Sequence, residues 1–258
     1  MSINTFSYSV VLPTTNGRCL CKAFYSALMQ SLPPSEIHIT TDSEFLPNCC
    51  TKSIAGKSIV TLHRKLNFFN VSESRNYAIN KSQSKWISFL DDDDYWEFDK
   101  MQIQSRILLS SKVKLLGSNA YKISSNDLYF KTELDRKFNL KELTRDNLLI
   151  TSSVVVRKDT FYKVGGFPRI EGPGEDYLLW LKVILSTRKG IICGKPLVYY
   201  NDAGQSISRA KFESGVEQRN RILKEFLKLP KKSSLGMLQE ARYRIFLSNI
   251  KRNLRNYE

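Results

Sequence analysis

The segment Trp86-Ile87-Ser88-Phe89-Leu90 is a short apolar run of strand type that passes directly into four consecutive aspartates, Asp91 to Asp94. Few arrangements tolerate that junction. The apolar part belongs inside a sheet, whereas adjacent like charges repel and each raises its neighbours' pKa. Taken without context, such a run is a solvated acidic turn. Here the chain around it alternates strand-like and helix-like segments, and open α/β sheets bind ligands at the carboxyl ends of their strands. Hard divalent cations also take carboxylate oxygens, Mg²⁺ using one or two of them together with substrate phosphates.

The alternation begins at once. Ser7–Leu12 predicts a buried strand stopped by Pro13, Leu20–Ser31 a helix, and Glu36–Thr41 and Lys57–Leu62 two more strands. Ser72 or Ser74 is expected to cap a helix carrying Arg75-Asn76-Tyr77-Ala78-Ile79. Glu97–Ser110 has helical spacing through Met101, Ile103 and Leu108. Such β-α-β order predicts a mostly parallel central sheet flanked by helices.

The middle of the chain is less regular. Lys114–Ile123, Asn126–Lys131, Ser152–Arg157 and Leu197–Tyr200 read as strands, and Leu140–Leu149 as a helix or a loop. Asp159–Val164 reads as a short helix stopped by Gly165-Gly166, and Asp176–Leu185 as a helix with an apolar face. From about Glu213 only helical patterns follow. We therefore expect a catalytic domain over 1–212 and a basic helical extension over 213–258.

Forty Lys and Arg against 25 Asp and Glu give a formal charge of +15. That excess attracts polyanions, whether nucleic acid, an anionic membrane or phosphorylated substrates, without choosing among them. The five cysteines, at 19, 21, 49, 50 and 193, read as reduced thiols. A zinc site from Cys19, Cys21, Cys49 and Cys50 is the sharper alternative, but the spacing is not that of structural zinc sites. No apolar run reaches the roughly 18 residues of a membrane-spanning helix. The expectation is a cytoplasmic protein, peripheral at most on the inner face of the cytoplasmic membrane.

Four segments together resemble one known family. They are Tyr8-Ser9-Val10-Val11-Leu12-Pro13-Thr14-Thr15-Asn16; Thr40-Thr41-Asp42; Ser74-Arg75-Asn76-Tyr77-Ala78-Ile79 followed by Trp86 to Trp96; and Gly165-Gly166-Phe167 with Gly174-Glu175-Asp176-Tyr177-Leu178-Leu179-Trp180-Leu181. In order and spacing they are similar to the first strand, second strand, metal-binding DXD strand and ED helix of glycosyltransferase family 2, over roughly residues 7–200. The resemblance implies the GT-A fold and an inverting transfer from a nucleotide-diphosphate sugar, assisted by Mn²⁺ or Mg²⁺. The acceptor would be a glycan or a lipid-linked glycan.

The same resemblance assigns roles. Pro13, Thr14 and Asn16 would border the nucleotide, and Asp42 would accept a hydrogen bond from the base, unless it only initiates a turn. Asp91 and Asp92 would lie near the ribose and the metal, with Asp93 as direct metal ligand. Arg75 would face the nucleotide or diphosphate, or else pair with the acidic strand. Asp176 would be the general base, with Glu175 the alternative. Their place at a helix N-terminus is expected to lower the carboxylate pKa. Arg209 would belong to a basic segment closing over the diphosphate, or to a surface loop. His38 and His63 are expected to be structural.

The tail allows two readings. Ile222, Leu223, Phe226, Leu227 and Leu229 form one helical stripe among cations. Such a stripe either packs on the catalytic domain or lies in the interface of an anionic membrane. Rival functions are a Mg²⁺-dependent nuclease or phosphoryl-transfer enzyme and a basic nucleic-acid-binding module. No Walker-type loop supports the first. The few aromatics in the tail do not support the second, so no nucleic-acid partner is expected.

Overall fold

The structure is a computed structural model, and it describes residues 6–15, 20–43, 46, 59–64, 70–203 and 215–228. The strands are β1 (Tyr8–Thr14), β2 (Glu36–Thr41), β3 (Val60–Arg64), β4 (Trp86–Phe89), β5 (Tyr95–Trp96), β6 (Leu115–Lys122), β7 (Arg136–Phe138), β8 (Val155–Arg157) and β9 (Gly190–Tyr200). The helices are α1 (Leu20–Leu28), α2 (Val71–Lys81), α3 (Lys100–Ser111), α4 (Leu140–Leu143), α5 (Lys158–Lys163), α6 (Glu175–Thr187) and α7 (Gly215–Lys228). A 3₁₀ turn spans Thr151–Ser153.

Every residue of β1 and β4 is buried, as happens when helices cover both faces of a sheet. Alternation then sorts the side chains. Val10 and Leu12 join Leu20, Phe24 and Met101 in one core, under α1 and α3. Val11, Ile87 and Phe89 join Ile79, Phe161 and Trp180 in the other, under α2, α5 and α6.

The strand order is β3-β2-β1-β4-β8-β6-β9-β5, with β7 beside β9. The first four strands are parallel, as expected. Antiparallel β8 then enters between β4 and β6, and the second half of the sheet is mixed. The carboxyl ends of β1 and β4 thereby open beside the start of β8, where the 3₁₀ turn sits.

Some local expectations change. β1 does not stop at Pro13 but runs on to Thr14. Val11 offers its carbonyl to Leu90 on the β4 side, so Pro13, two residues on, turns the same edge past the end of β4. Its missing N–H costs no ladder bond there. Asn126–Lys131 forms no strand: Asn126 takes φ +61° and only an isolated Tyr121–Leu128 bridge survives. Helix α2 is capped by Asn70, whose side chain accepts from Glu73 N, and not by Ser72 or Ser74. Cys193 is a buried free thiol, while Cys21 is disulfide-bonded, against the expectation of reduced thiols. Cys19, Cys49 and Cys50 lie outside the described residues.

The apolar stripe of α7 is core. Ile222, Leu223 and Phe226 belong to the same cluster as the α6 side chains. Two of its cations hold backbone carbonyls. Arg221 Nη1 and Nη2 donate to the carbonyls of Glu171 and Pro173 at 2.9 and 2.6 Å, and Arg219 Nη1 donates to that of Arg145 at 3.1 Å. This stretch of the stripe therefore cannot also lie in a bilayer. Among the described residues no helix is long and apolar enough to cross a membrane.

Candidate active site

Two motifs that are far apart in sequence meet through one side chain. Asn76 Nδ2 donates to the Phe167 carbonyl at 2.9 Å, and the Phe167 N–H donates back to Asn76 Oδ1 at 3.0 Å. Gly166 sits at φ +69°, and a Cβ there would come within 2.9 Å of Asn76 Oδ1. The Arg-Asn helix is thus locked to the Gly-Gly-Phe turn, which places Arg75 at the mouth of the sheet.

There Arg75 is buried and forms two ion pairs, with Asp91 at 2.5 Å and Glu175 at 2.8 Å. Both carboxylates hold its charge on, against the cost of burial. Its guanidinium is therefore engaged with carboxylates of both motifs.

The four aspartates take four different environments. The Asp94 N–H donates to the Asp91 carbonyl, closing a tight turn with Asp92 and Asp93 at its corners. Asp91 pairs with Arg75, and Asp92 accepts from the Thr14 hydroxyl at the end of β1. Asp93 accepts from Asn201 Nδ2, at 3.2 Å. Asp94 points inward and accepts the Asn201 N–H at 2.7 Å. Burial, with added repulsion from Asp91 and Asp93, pushes the Asp92 carboxyl up to about 6. Burial and the Asp91 charge raise Asp93, and Asp94 is raised well above the usual carboxylate range for the same reasons.

This donor set fits a divalent cation shared with a diphosphate. Two adjacent carboxylates, strained by burial and mutual repulsion, gain from a cation, and Asp93 keeps most of its acceptor capacity. Among the described residues no group of three His, Cys, Asp or Glu could hold a metal by itself. Mg²⁺ sites completed by substrate phosphates do not need one.

Facing the turn is the N-terminus of α6. Gly174, at φ +107°, leads into it, and a Cβ there would come within 2.9 Å of Ile222. Glu175 accepts from Arg75 and from the Gly174 N–H. Asp176 accepts from the Thr151 hydroxyl at 2.8 Å and from the Tyr177 N–H at 2.7 Å. The expected lowering of its pKa does not occur. Burial and the adjacent Glu175 push it up to about 6, outweighing Thr151, Arg75 and the Tyr177 N–H.

Thr14, Arg75, Asp91 to Asp94, Glu175 and Asp176 therefore converge, with Pro13 beside them on β1. Asp42 lies exposed at the end of β2. Asn16 and Arg209 lie outside the described residues. His38 and His63 stack on each other, Nδ1 to Nε2 3.0 Å, within the β2–β3 layer, as their structural reading expects. Three further residues take part without belonging to any sequence motif: Thr151, Ser152 and Asn201. Their only sequence signal is a short polar residue beside a strand, which is too common to stand out.

A parallel-to-mixed sheet with an acidic turn on one side and a carboxylate helix on the other defines a class, the GT-A nucleotide-sugar transferases. The model of "Glycosyl transferase family 2" matches residues 9–165, and the chain belongs to that family and is a glycosyltransferase. It is 24% identical over 230 residues to the Escherichia coli UDP-Glc:alpha-D-GlcNAc-diphosphoundecaprenol beta-1,3-glucosyltransferase WfgD, covering 88% of this chain and 89% of that one. It is 28% identical over 147 residues to WfaP of the same organism and same described activity, covering 57% of each. Among solved structures, S. aureus TarS 1-349 in complex with UDP-GlcNAc superposes with a TM-score of 0.71 at 15% identity, over 86% of this chain. The chain spans 65% of that one.

Proposed function

We propose that this glycosyltransferase moves a sugar, with inversion, from a UDP-linked donor to a hydroxyl of a lipid-linked glycan. The observation that carries the reading is the contrast between the two α6 carboxylates. Glu175 is paired with Arg75, whereas among the described residues no cation lies at hydrogen-bond distance of Asp176, which is raised to about 6. That is near the operating pH of a general base. Asp176 takes the proton of the acceptor hydroxyl, the acceptor oxygen bonds to the anomeric carbon, and the bond from that carbon to the diphosphate breaks. Asp93 would hold Mn²⁺ or Mg²⁺, with Asp91 and Asp92 near the ribose and the metal. When bound, the cation offsets the charge that develops on the leaving diphosphate.

Pro13, Thr14, Asn16, Asp42 and Arg209 border the donor in this reading. Arg75 acts by holding Asp91 and Glu175. The names of WfgD and WfaP support UDP-glucose and a diphosphoundecaprenol-linked acceptor. A lipid-linked acceptor also gives a purpose to residues 229–258, where seven Lys and Arg face two Glu. We assign to this segment contact with an anionic membrane surface.

The test is thermal unfolding and slow donor hydrolysis with UDP-glucose, UDP-GlcNAc and other nucleotide sugars, with and without Mn²⁺ or Mg²⁺. Donor binding raises the melting temperature by mass action. A metal-dependent shift that Asp93→Asn abolishes is expected. No response to any nucleotide sugar would overturn the reading.

A further inference from the structure

The 3₁₀ turn Thr151–Ser153 touches both halves of the site. The Thr151 hydroxyl donates to Asp176 Oδ2 at 2.8 Å. The adjacent Ser152 hydroxyl accepts the Asp91 N–H at 3.0 Å and also hydrogen-bonds the Asp94 carboxylate. All three residues of the turn are buried.

The turn is fastened from behind as well. Trp96 Nε1 donates to the Ser152 carbonyl at 2.8 Å, and Gln104 Nε2 to the Ser153 carbonyl at 2.9 Å. Gln104 is itself held by the fully buried Lys100, Nζ to Oε1 2.8 Å, whose other contacts are Ser88, the Met101 sulfur and the Trp96 ring. Within the turn, Ser153 N–H and Oγ both donate to the Ile150 carbonyl at 2.8 Å. Neighbouring side chains on so short and so constrained a piece of backbone cannot move independently. One rigid element therefore carries a hydrogen bond to the α6 carboxylate and two to the acidic turn.

We infer that Thr151 and Ser152 are positioning residues that set Asp176 against the aspartate turn. The inference rests on the reading of Asp176 as the base. A turn that merely completes the fold would not need the Thr151 hydroxyl once the side chain's shape and methyl group are kept. Every group facing Asp176 enters the balance: Glu175 beside it repels, while Arg75 from α2, the Tyr177 N–H and the Thr151 hydroxyl favour the charged form. Losing the hydroxyl removes one of the three stabilising partners.

The experiment uses the full chain. The ¹³C carboxyl resonance of Asp176, assigned by its loss in Asp176→Asn, is titrated in the native protein, in Thr151→Val and in Thr151→Ser. The midpoint is expected to rise by about one pH unit in Thr151→Val and to return in Thr151→Ser. Turnover of UDP-glucose and UDP-GlcNAc should fall roughly ten- to a hundredfold in kcat in Thr151→Val, at unchanged donor KM, and also in Ser152→Ala. Thr151→Ser should restore it. Thermal unfolding controls for folding, and Thr151→Ala replaces Thr151→Val if the latter unfolds. An unmoved midpoint with unchanged kcat in the hydroxyl-free variant overturns the positioning role alone. Normal turnover by Asp176→Asn overturns the base reading instead, and with it the purpose assigned to Thr151.

Discussion

Arg75 Nη1 donates to Glu175 Oε1 at 2.8 Å, joining residues 100 positions apart. The other arm of the same guanidinium reaches Asp91 at 2.5 Å, and the Phe167 ring stands 5.3 Å from its centre. One buried cation thus ties the acidic turn of β4 to the helix that presents Asp176. It also separates the two carboxylates of the Glu-Asp pair, since Arg75 pairs with Glu175 while Asp176 accepts from the Thr151 hydroxyl and the Tyr177 N–H.

Replacing Arg75 by Met is therefore expected to destabilise the fold. Breaking a buried pair from one side leaves uncompensated charge, at a cost of about 3–5 kcal/mol. Asp91 keeps a third of its side chain in water, so the lower end of that range, about 3 kcal/mol, applies here. Arg75→Lys keeps the charge but cannot reach both carboxylates with planar geometry, and should fall between. Urea denaturation at neutral pH measures both. A loss below roughly 1 kcal/mol in Arg75→Met, the scale of a surface pair, would show that the bridge is not a buried one.

The buried face of α7 makes a second prediction. Phe226 is fully buried in the cluster that contains Trp180. Phe226→Ala should cost about 3–5 kcal/mol. Truncation before Gly215 should then give a sharply lower melting temperature than truncation at residue 229. Equal stability of the two truncated chains would remove α7 from the core.

What the sequence disclosed and what it hid follow from the range of the interactions. The strand Trp86–Leu90 and its aspartates, the Arg75-Asn76 helix and the Gly-Gly-Phe turn were legible because each is a local pattern. Antiparallel β8 between β4 and β6 was not, since a three-residue strand gives no sign of its direction. Two-residue β5 was shorter than any periodicity can report. The partners of Arg75 lie 16 and 100 positions away, and nothing near Arg75 announces them. The pKa of Asp176 was misjudged for a related reason. The helix end is a local feature that favours the anion, but burial is a tertiary one, and the carboxyl is raised here.

That raised carboxyl sets stability and activity against each other as pH changes. An unfolded Asp titrates near 3.9, and Asp176 in the fold near 6. Between those values the native state binds more protons than the unfolded chain, so its stability falls as pH rises. The penalty is complete above about 6 and absent below about 4. Asp176→Asn removes the titration. Its stability relative to the native protein should be level near pH 4 and should climb to a gain on the order of 1–3 kcal/mol by pH 7.5. Turnover of the native enzyme should run the other way, rising through about pH 6 as the base deprotonates, and the Asn variant should lose it. Urea denaturation of both proteins across this range, beside a pH profile of kcat, tests the two together. A stability difference that does not change with pH would mean that Asp176 titrates as an ordinary carboxylate, and the rise in turnover would then need another group.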